Sequence, residues 1–126
     1  MKELTKAEEQ VMQQLWKLKK AFLKDIVEQF PEPKPATTTI STVIRILVKK
    51  EFVAYNAYSK VHEYYPLISK EDYSKDQMKR FMKKFFNGSA SNFASFFTNN
   101  EELSISELEE IKQMVDKKIA HKKKNI

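Results

Sequence analysis

Apolar and polar positions follow two periods along this chain of 126 residues. Val11, Leu15 and Leu18, with Met12 and Trp16 beside them, recur at helical spacing. Thr5 and Glu8 supply the S/T-x-x-E pattern of a capping box, so the first helix starts at Thr5 and ends at Lys19-Lys20. Ala21-Phe22 is a short apolar step that reads as a minimal strand. A second helix over about Leu23 to Gln29 presents Leu23, Ile26, Val27 and Phe30. It stops at Phe30-Pro31-Glu32-Pro33-Lys34-Pro35, because proline lacks the N–H that a helix interior needs.

The next helix, about Thr37 to Lys50, carries Ile40, Val43, Ile44, Leu47 and Val48 at i, i+3, i+4, i+7, i+8, a stripe made for burial. Its opposite face holds Thr38, Ser41, Thr42, Arg45 and Lys49. The period then changes. Phe52 to Tyr58 and Val61 to Tyr65 read as two strands joined around Tyr58-Ser59-Lys60, and Pro66 closes the hairpin. A helix over roughly Ser69 to Phe86 follows, with Met78, Phe81, Met82, Phe85 and Phe86 on one face. Asn87-Gly88-Ser89 ends it in the manner of a left-handed cap. A short apolar helix, about Ser89 to Phe97, carries Phe93, Phe96 and Phe97. The last helix opens on a second capping box, Ser104 with Glu107, and its stripe is Leu108, Ile111, Val115 and Ile119. The basic tail from His121 to Lys124 reads as frayed.

Three helices, a β-hairpin and three more helices predict a mainly α protein with a small β-hairpin. The expected architecture is a winged helix-turn-helix domain over residues 1–70 and a C-terminal helical dimerisation region over 71–126. In such a domain the second helix of the motif lies in the major groove. Threonine and serine can bond bases or phosphates there, and arginine can grip guanine O6 and N7 together. Thr38, Thr39, Ser41, Thr42 and Arg45 are therefore candidates for base edges, and Lys49 for a phosphate. Tyr58, Lys60 and His62 lie at the hairpin tip, where a wing meets the DNA backbone or minor groove. A solvated face and a solvated turn are the alternatives for the same residues. The cluster Met78, Phe81, Met82, Phe85, Phe93, Phe96 and Phe97, with Leu108, Ile111 and Val115, reads as a dimer interface, an intramolecular core or a ligand pocket.

Composition narrows the classes. The net charge of +6 suits a polyanionic partner, and residues 1–70 carry +4 of it. Cysteine is absent and glycine occurs once, which removes thiolate metal sites, disulfides and glycine-rich phosphate loops. His62 and His121 are far apart and lack carboxylate company, so neither a metal site nor a catalytic centre is expected. No cofactor is expected. No apolar run reaches transmembrane length and Met1 to Lys6 lack the apolar run of a signal peptide, so the expected location is the cytoplasm, without membrane insertion.

Several stretches together resemble the bacterial penicillinase and methicillin-resistance repressor family, which also includes copper-responsive transport repressors. They are Leu4-Thr5-Lys6-Ala7-Glu8-Glu9 with Trp16 downstream, the run Thr38 to Leu47, the run Tyr64 to Tyr73, and Glu101-Glu102-Leu103-Ser104. The resemblance implies a homodimer that sits on a pseudo-palindromic operator, blocks transcription and controls an antibiotic-resistance-type or stress operon. It also implies a membrane sensor metallopeptidase as partner, whose pathway cuts the family at an Asn-Phe bond. Phe96-Phe97 stands at the corresponding place here, and Asn92-Phe93 is out of register. The copper branch uses C-terminal cysteines, which are missing, so no copper switch of that kind is expected. Glu51 stands where the family commonly has glycine. Two other functions remain open: a winged-helix adaptor for proteins, and a regulator responding to a small molecule.

Overall fold

The computed structural model describes residues 1–126. The elements run α1 (Lys6–Leu18), β1 (Ala21–Phe22), α2 (Leu23–Gln29), α3 (Thr37–Lys49), β2 (Val53–Tyr58), β3 (Val61–Pro66), α4 (Lys70–Phe86), α5 (Ala90–Thr98) and α6 (Ile105–Lys124). This is a winged helix-turn-helix followed by a helical region. The chain divides into two compact units, Met1–Met78 and Lys79–Ile126, and the division falls inside α4. No helix is long and apolar enough to cross a membrane.

In the first unit, the stripes of α1, α2 and α3 meet in one core. Met12, Leu15, Ile26, Ile44 and Leu47 are fully buried there with Phe52 and Val53. Each side chain of that size stabilises the fold by about 1.5–3 kcal/mol on leaving water. Thr5 caps α1 as its spacing predicts: Glu8 N–H donates to Thr5 Oγ1 at 3.2 Å, and Thr5 N–H donates to Glu8 Oε1 at 2.9 Å. Asp25 accepts from Phe22 N–H at the start of α2. Lys34 closes the other end of that helix by donating to the carbonyls of Glu28 and Phe30.

The hairpin has a third strand. β1 pairs antiparallel with β3, Ala21 opposite Tyr64 and Phe22 opposite Glu63, giving the order β1-β3-β2. Two residues suffice because β3 already offers a formed edge. Trp16 Nε1–H donates to Ile68 O at 2.8 Å, and the Tyr73 hydroxyl donates to Glu9, so α4 begins tied to α1.

The Glu8 carboxylate, 4% exposed, makes an ion pair of 2.6 Å with Lys50 Nζ, which also donates to Glu3 O. Lys50 caps the C-terminus of α3, so this pair joins the start of α1 to the end of α3. Glu51 follows at φ 64°, in the left-handed region where a Cβ is strained. Glu51→Gly should therefore raise the unfolding free energy by up to about 1 kcal/mol, read from urea denaturation. A loss of stability would mean that the Glu51 side chain contributes more than its backbone costs.

In the second unit, the phenylalanines of α4 and α5 pack on one another. Phe86 lies 5.6 Å from Phe93 and 5.5 Å from Phe96 between ring centroids, and Phe81 lies 5.1 Å from Phe85. Asn87 and Gly88 take positive φ, and Gly88 N–H reaches back to Met82 O at 2.9 Å, which ends α4. Neither α5 nor α6 buries a single residue. Phe81, Phe85, Phe96 and Phe97 are exposed, as are Met78 and Val115, while Met82, Phe93, Leu108 and Ile111 are half-buried. Ser104 and Glu107 form the capping box of α6, which holds the Glu107 carboxyl below its ordinary range. The tail expected to fray is helical through Lys124. Cations at the C-terminal end suit the helix dipole, and Asn125 N–H closes on Lys122 O.

Candidate nucleic-acid interface

The burial of Ile40, Ile44 and Leu47 turns the opposite side of α3 outward. At about 100° per residue, Thr38, Ser41, Thr42, Arg45 and Lys49 fall within one exposed stripe. Thr38, Thr42, Arg45 and Lys49 are exposed and Ser41 is half-buried. Thr42 Oγ1 donates to Thr38 O at 2.9 Å, leaving the hydroxyl's lone pairs and the methyl outward. Thr39 lies about 120° round the helix from Arg45. It lines a different groove, with Phe30, the connector prolines, Ile40 and Val43. α3 starts at Ala36 without a side-chain cap, so its first amides remain free for a polar partner.

Beside this stripe stands the inner face of the wing. The register sets Tyr55 opposite Tyr64 and Ala57 opposite His62, which puts these side chains on one face of the sheet. The His62 ring stacks on Tyr55 at 4.1 Å and 8°, and meets Tyr64 edge-on at 6.1 Å. Ser41, Ile44, Arg45, Val48, Tyr55, His62 and Tyr64 line an open cleft of about 400 Å³ between α3 and the wing. Burial pushes the Tyr64 hydroxyl above its ordinary pKa and Tyr55 adds to this, while Arg45 pulls the other way. Tyr64 therefore stays a neutral donor beside the Arg45 cation.

The wing tip is a two-residue turn of Ser59, at φ 60°, and Lys60. Tyr58 lies on the other face of the sheet from His62, where its ring approaches Phe22 at 6.5 Å. Of the predicted wing residues, Lys60 is thus at the tip, His62 faces α3 and Tyr58 faces away. Tyr55 and Tyr64 escaped the sequence reading, although strand alternation with His62 was a signal for Tyr64. The arrangement offers hydroxyls and a guanidinium on a helix of groove-fitting width, flanked by a cation on a projecting turn.

The family model described as penicillinase repressor matches residues 4–117. The chain belongs to the penicillinase repressor family. It is a winged helix-turn-helix, DNA-binding transcriptional repressor, and not an enzyme. The methicillin resistance regulatory protein MecI of Staphylococcus aureus (strain N315) is 32% identical over 117 residues, 92% of this chain and 95% of that protein. The penicillinase repressor of Bacillus licheniformis is 25% identical over 122 residues, 96% of this chain and 95% of that protein. The solved CopR repressor structure is 30% identical and covers 54% of this chain and 100% of its own, at a TM-score of 0.45. Within this family the repressor's exposed α3 stripe and the wing beside it are the candidate DNA-facing surface.

Proposed function

We propose that this repressor binds a pseudo-palindromic operator as a homodimer and blocks transcription of an antibiotic-resistance-type or stress operon from the cytoplasm. The observation that carries the reading is the exposed stripe of Thr38, Ser41, Thr42, Arg45 and Lys49 beside a wing tipped by Lys60. Arg45 and the hydroxyls address base edges in the major groove, and Thr39 lies nearer the flanking backbone. Lys49, Lys60 and the uncapped amides of α3 address phosphates. Tyr58 and His62 shape the two faces of the wing. The relatives' names, penicillinase repressor and methicillin resistance regulatory protein, support the kind of operon.

The exposed apolar side chains from α4 to α6 support the homodimer. Met78, Phe81, Phe85, Phe96, Phe97 and Val115 are all at least 40% exposed, a surface that single chains seldom leave in water. A membrane sensor metallopeptidase is the proposed upstream partner. Phe96-Phe97 in α5 stands at the place of the Asn-Phe bond, so the residue pair that the resemblance implies for cleavage is absent there.

The test is fluorescence anisotropy with the DNA upstream of the protein's own gene, over a salt series and with excess random competitor. Preference of about 10³-fold or more over random DNA is expected. Equal affinity for both would leave only a basic patch and overturn the operator reading. Lys60→Ala should weaken binding to operator and random DNA alike and lower the salt slope by about one. An unchanged slope would remove Lys60 from the phosphate contacts.

A further inference from the structure

The cleft between α3 and the wing is uniform in its polar chemistry. Ser41 and Arg45 from α3, Tyr55 from β2, and His62 and Tyr64 from β3 supply the polar side chains of its wall. Each of these side-chain types can donate a hydrogen bond, and none is acidic. Glu63, the carboxylate next in sequence to His62, belongs to the other face of the sheet, opposite Asn56 and Phe22. Donors without a carboxylate suit a phosphate. With α3 in the major groove as proposed above, the sugar-phosphate strand that borders the groove passes over this cleft.

Among these groups the imidazole is the one that changes charge near neutral pH. Histidine ordinarily titrates between pH 5 and 8, a guanidinium stays charged, and burial keeps the Tyr64 hydroxyl protonated. The His62 ring lies flat on Tyr55, with 4.1 Å between centroids and 8° between planes, so its nitrogens sit at the rim of the stack. An aromatic face also favours a cation lying on it. The charged groups on this side are Arg45, Lys49 one turn further along α3, and Lys60 at the wing tip. Tyr55 from β2 and Tyr64 from β3 are the other titratable neighbours, and both are neutral donors. All three charges are positive. In the free protein they oppose a proton on His62, and a phosphate in the cleft reverses that balance.

We infer that His62 meets a DNA phosphate as an imidazolium, so that each subunit takes up a proton as it binds. The inference rests on the DNA-facing surface proposed above and adds a sequence-independent contact on the wing, while Arg45 remains the base reader. The sign is fixed by linkage. His62 holds its proton more firmly beside a bound phosphate than beside Arg45 and Lys49 alone, so affinity for DNA rises as pH falls. The repressor would then grip its DNA more tightly in an acidified cell without any ligand.

Fluorescence anisotropy of the full-length protein on operator and random DNA, at pH 6, 7 and 8, tests it. The wild type should bind both DNAs more tightly at pH 6 than at pH 8, by roughly threefold to tenfold for each bound subunit. Its salt slope should steepen by up to about 0.9 per subunit over the same range, because one more phosphate is neutralised. His62→Phe keeps a ring against Tyr55 and His62→Gln keeps a polar group, but neither can take up the proton. Both should flatten the pH profile. His121→Gln should retain it, since the only other histidine lies near the end of α6. A pH dependence that survives both His62 variants would assign the proton to another group and overturn the inference. So would a wild type whose affinity is the same at all three pH values, or His62 variants that lose one constant factor throughout, as a purely structural role requires. Each of these failures leaves the preference for operator over random DNA in place. Failure of the operator reading would instead remove that preference at every pH.

Discussion

Arg45→Ala is expected to weaken operator binding by about 1–3 kcal/mol, a loss of roughly fivefold to 150-fold, and to relax sequence preference. The side chain is exposed on the outward stripe of α3, one turn beyond Thr42 and Ser41. It lines the same cleft as Tyr55, His62 and Tyr64. A guanidinium that grips two acceptors of one guanine discriminates bases, whereas one resting on a phosphate does not. The measurement is the ratio of operator to random-DNA affinity for wild type and variant at one salt concentration. A variant that loses the same factor on both DNAs would show that Arg45 contacts the backbone. Tyr64→Phe on the same assay separates the wall from the reader, because it keeps the ring and removes the hydroxyl.

The second large effect is on stability. Lys50→Met should lower the unfolding free energy by about 1–3 kcal/mol at neutral pH, less than for a fully enclosed pair because the Lys50 side chain is 24% exposed. The loss arises because the Glu8 carboxylate stays buried without its cation. Burial pushes Glu8 upward, but Lys50 and the Thr5 cap together outweigh it and hold its pKa below the ordinary 4.5. In the wild type, then, Glu8 stabilises the fold above its ordinary pKa, and that contribution disappears as pH falls through the lower folded value. Without Lys50 only the Thr5 cap opposes the burial, so the folded pKa rises relative to the wild type and the ionised carboxylate contributes less at neutral pH. The difference between wild type and variant should accordingly be largest near pH 7 and shrink as pH falls through about 4.5. Urea denaturation at pH 7 and pH 4 reads it. A difference independent of pH would mean that Lys50 acts through the packing of its stem alone.

Much of the architecture is written locally. The capping boxes at Thr5 and Ser104, the i, i+3, i+4 stripes and the three prolines after Phe30 each act over a few residues. They therefore determine where helices begin, which faces they bury and where they end. The candidate site follows in part from the same logic. Once Ile40, Ile44 and Leu47 are committed to the core, helical geometry alone turns Thr38, Thr42, Arg45 and Lys49 outward. Glu51 was marked only by the resemblance, as standing where the family commonly has glycine, and its φ is positive.

What lies beyond local reach was decided by packing. Glu8 and Lys50 are 42 positions apart, and each alone reads as an ordinary surface charge. β1 became the third strand only because the edge of β3 was there to receive it. The stacking of His62 on Tyr55, the separation of Tyr58 to the other face of the wing and the turning of Thr39 towards the prolines all depend on register and on how α3 meets the sheet. Caps and stripes are energies between near neighbours, so the amino-acid order of this repressor determined its helices, its core and the outward face of α3. Which side chains share the cleft, and which charges lose water together, are energies between distant residues, and those only the tertiary structure could decide.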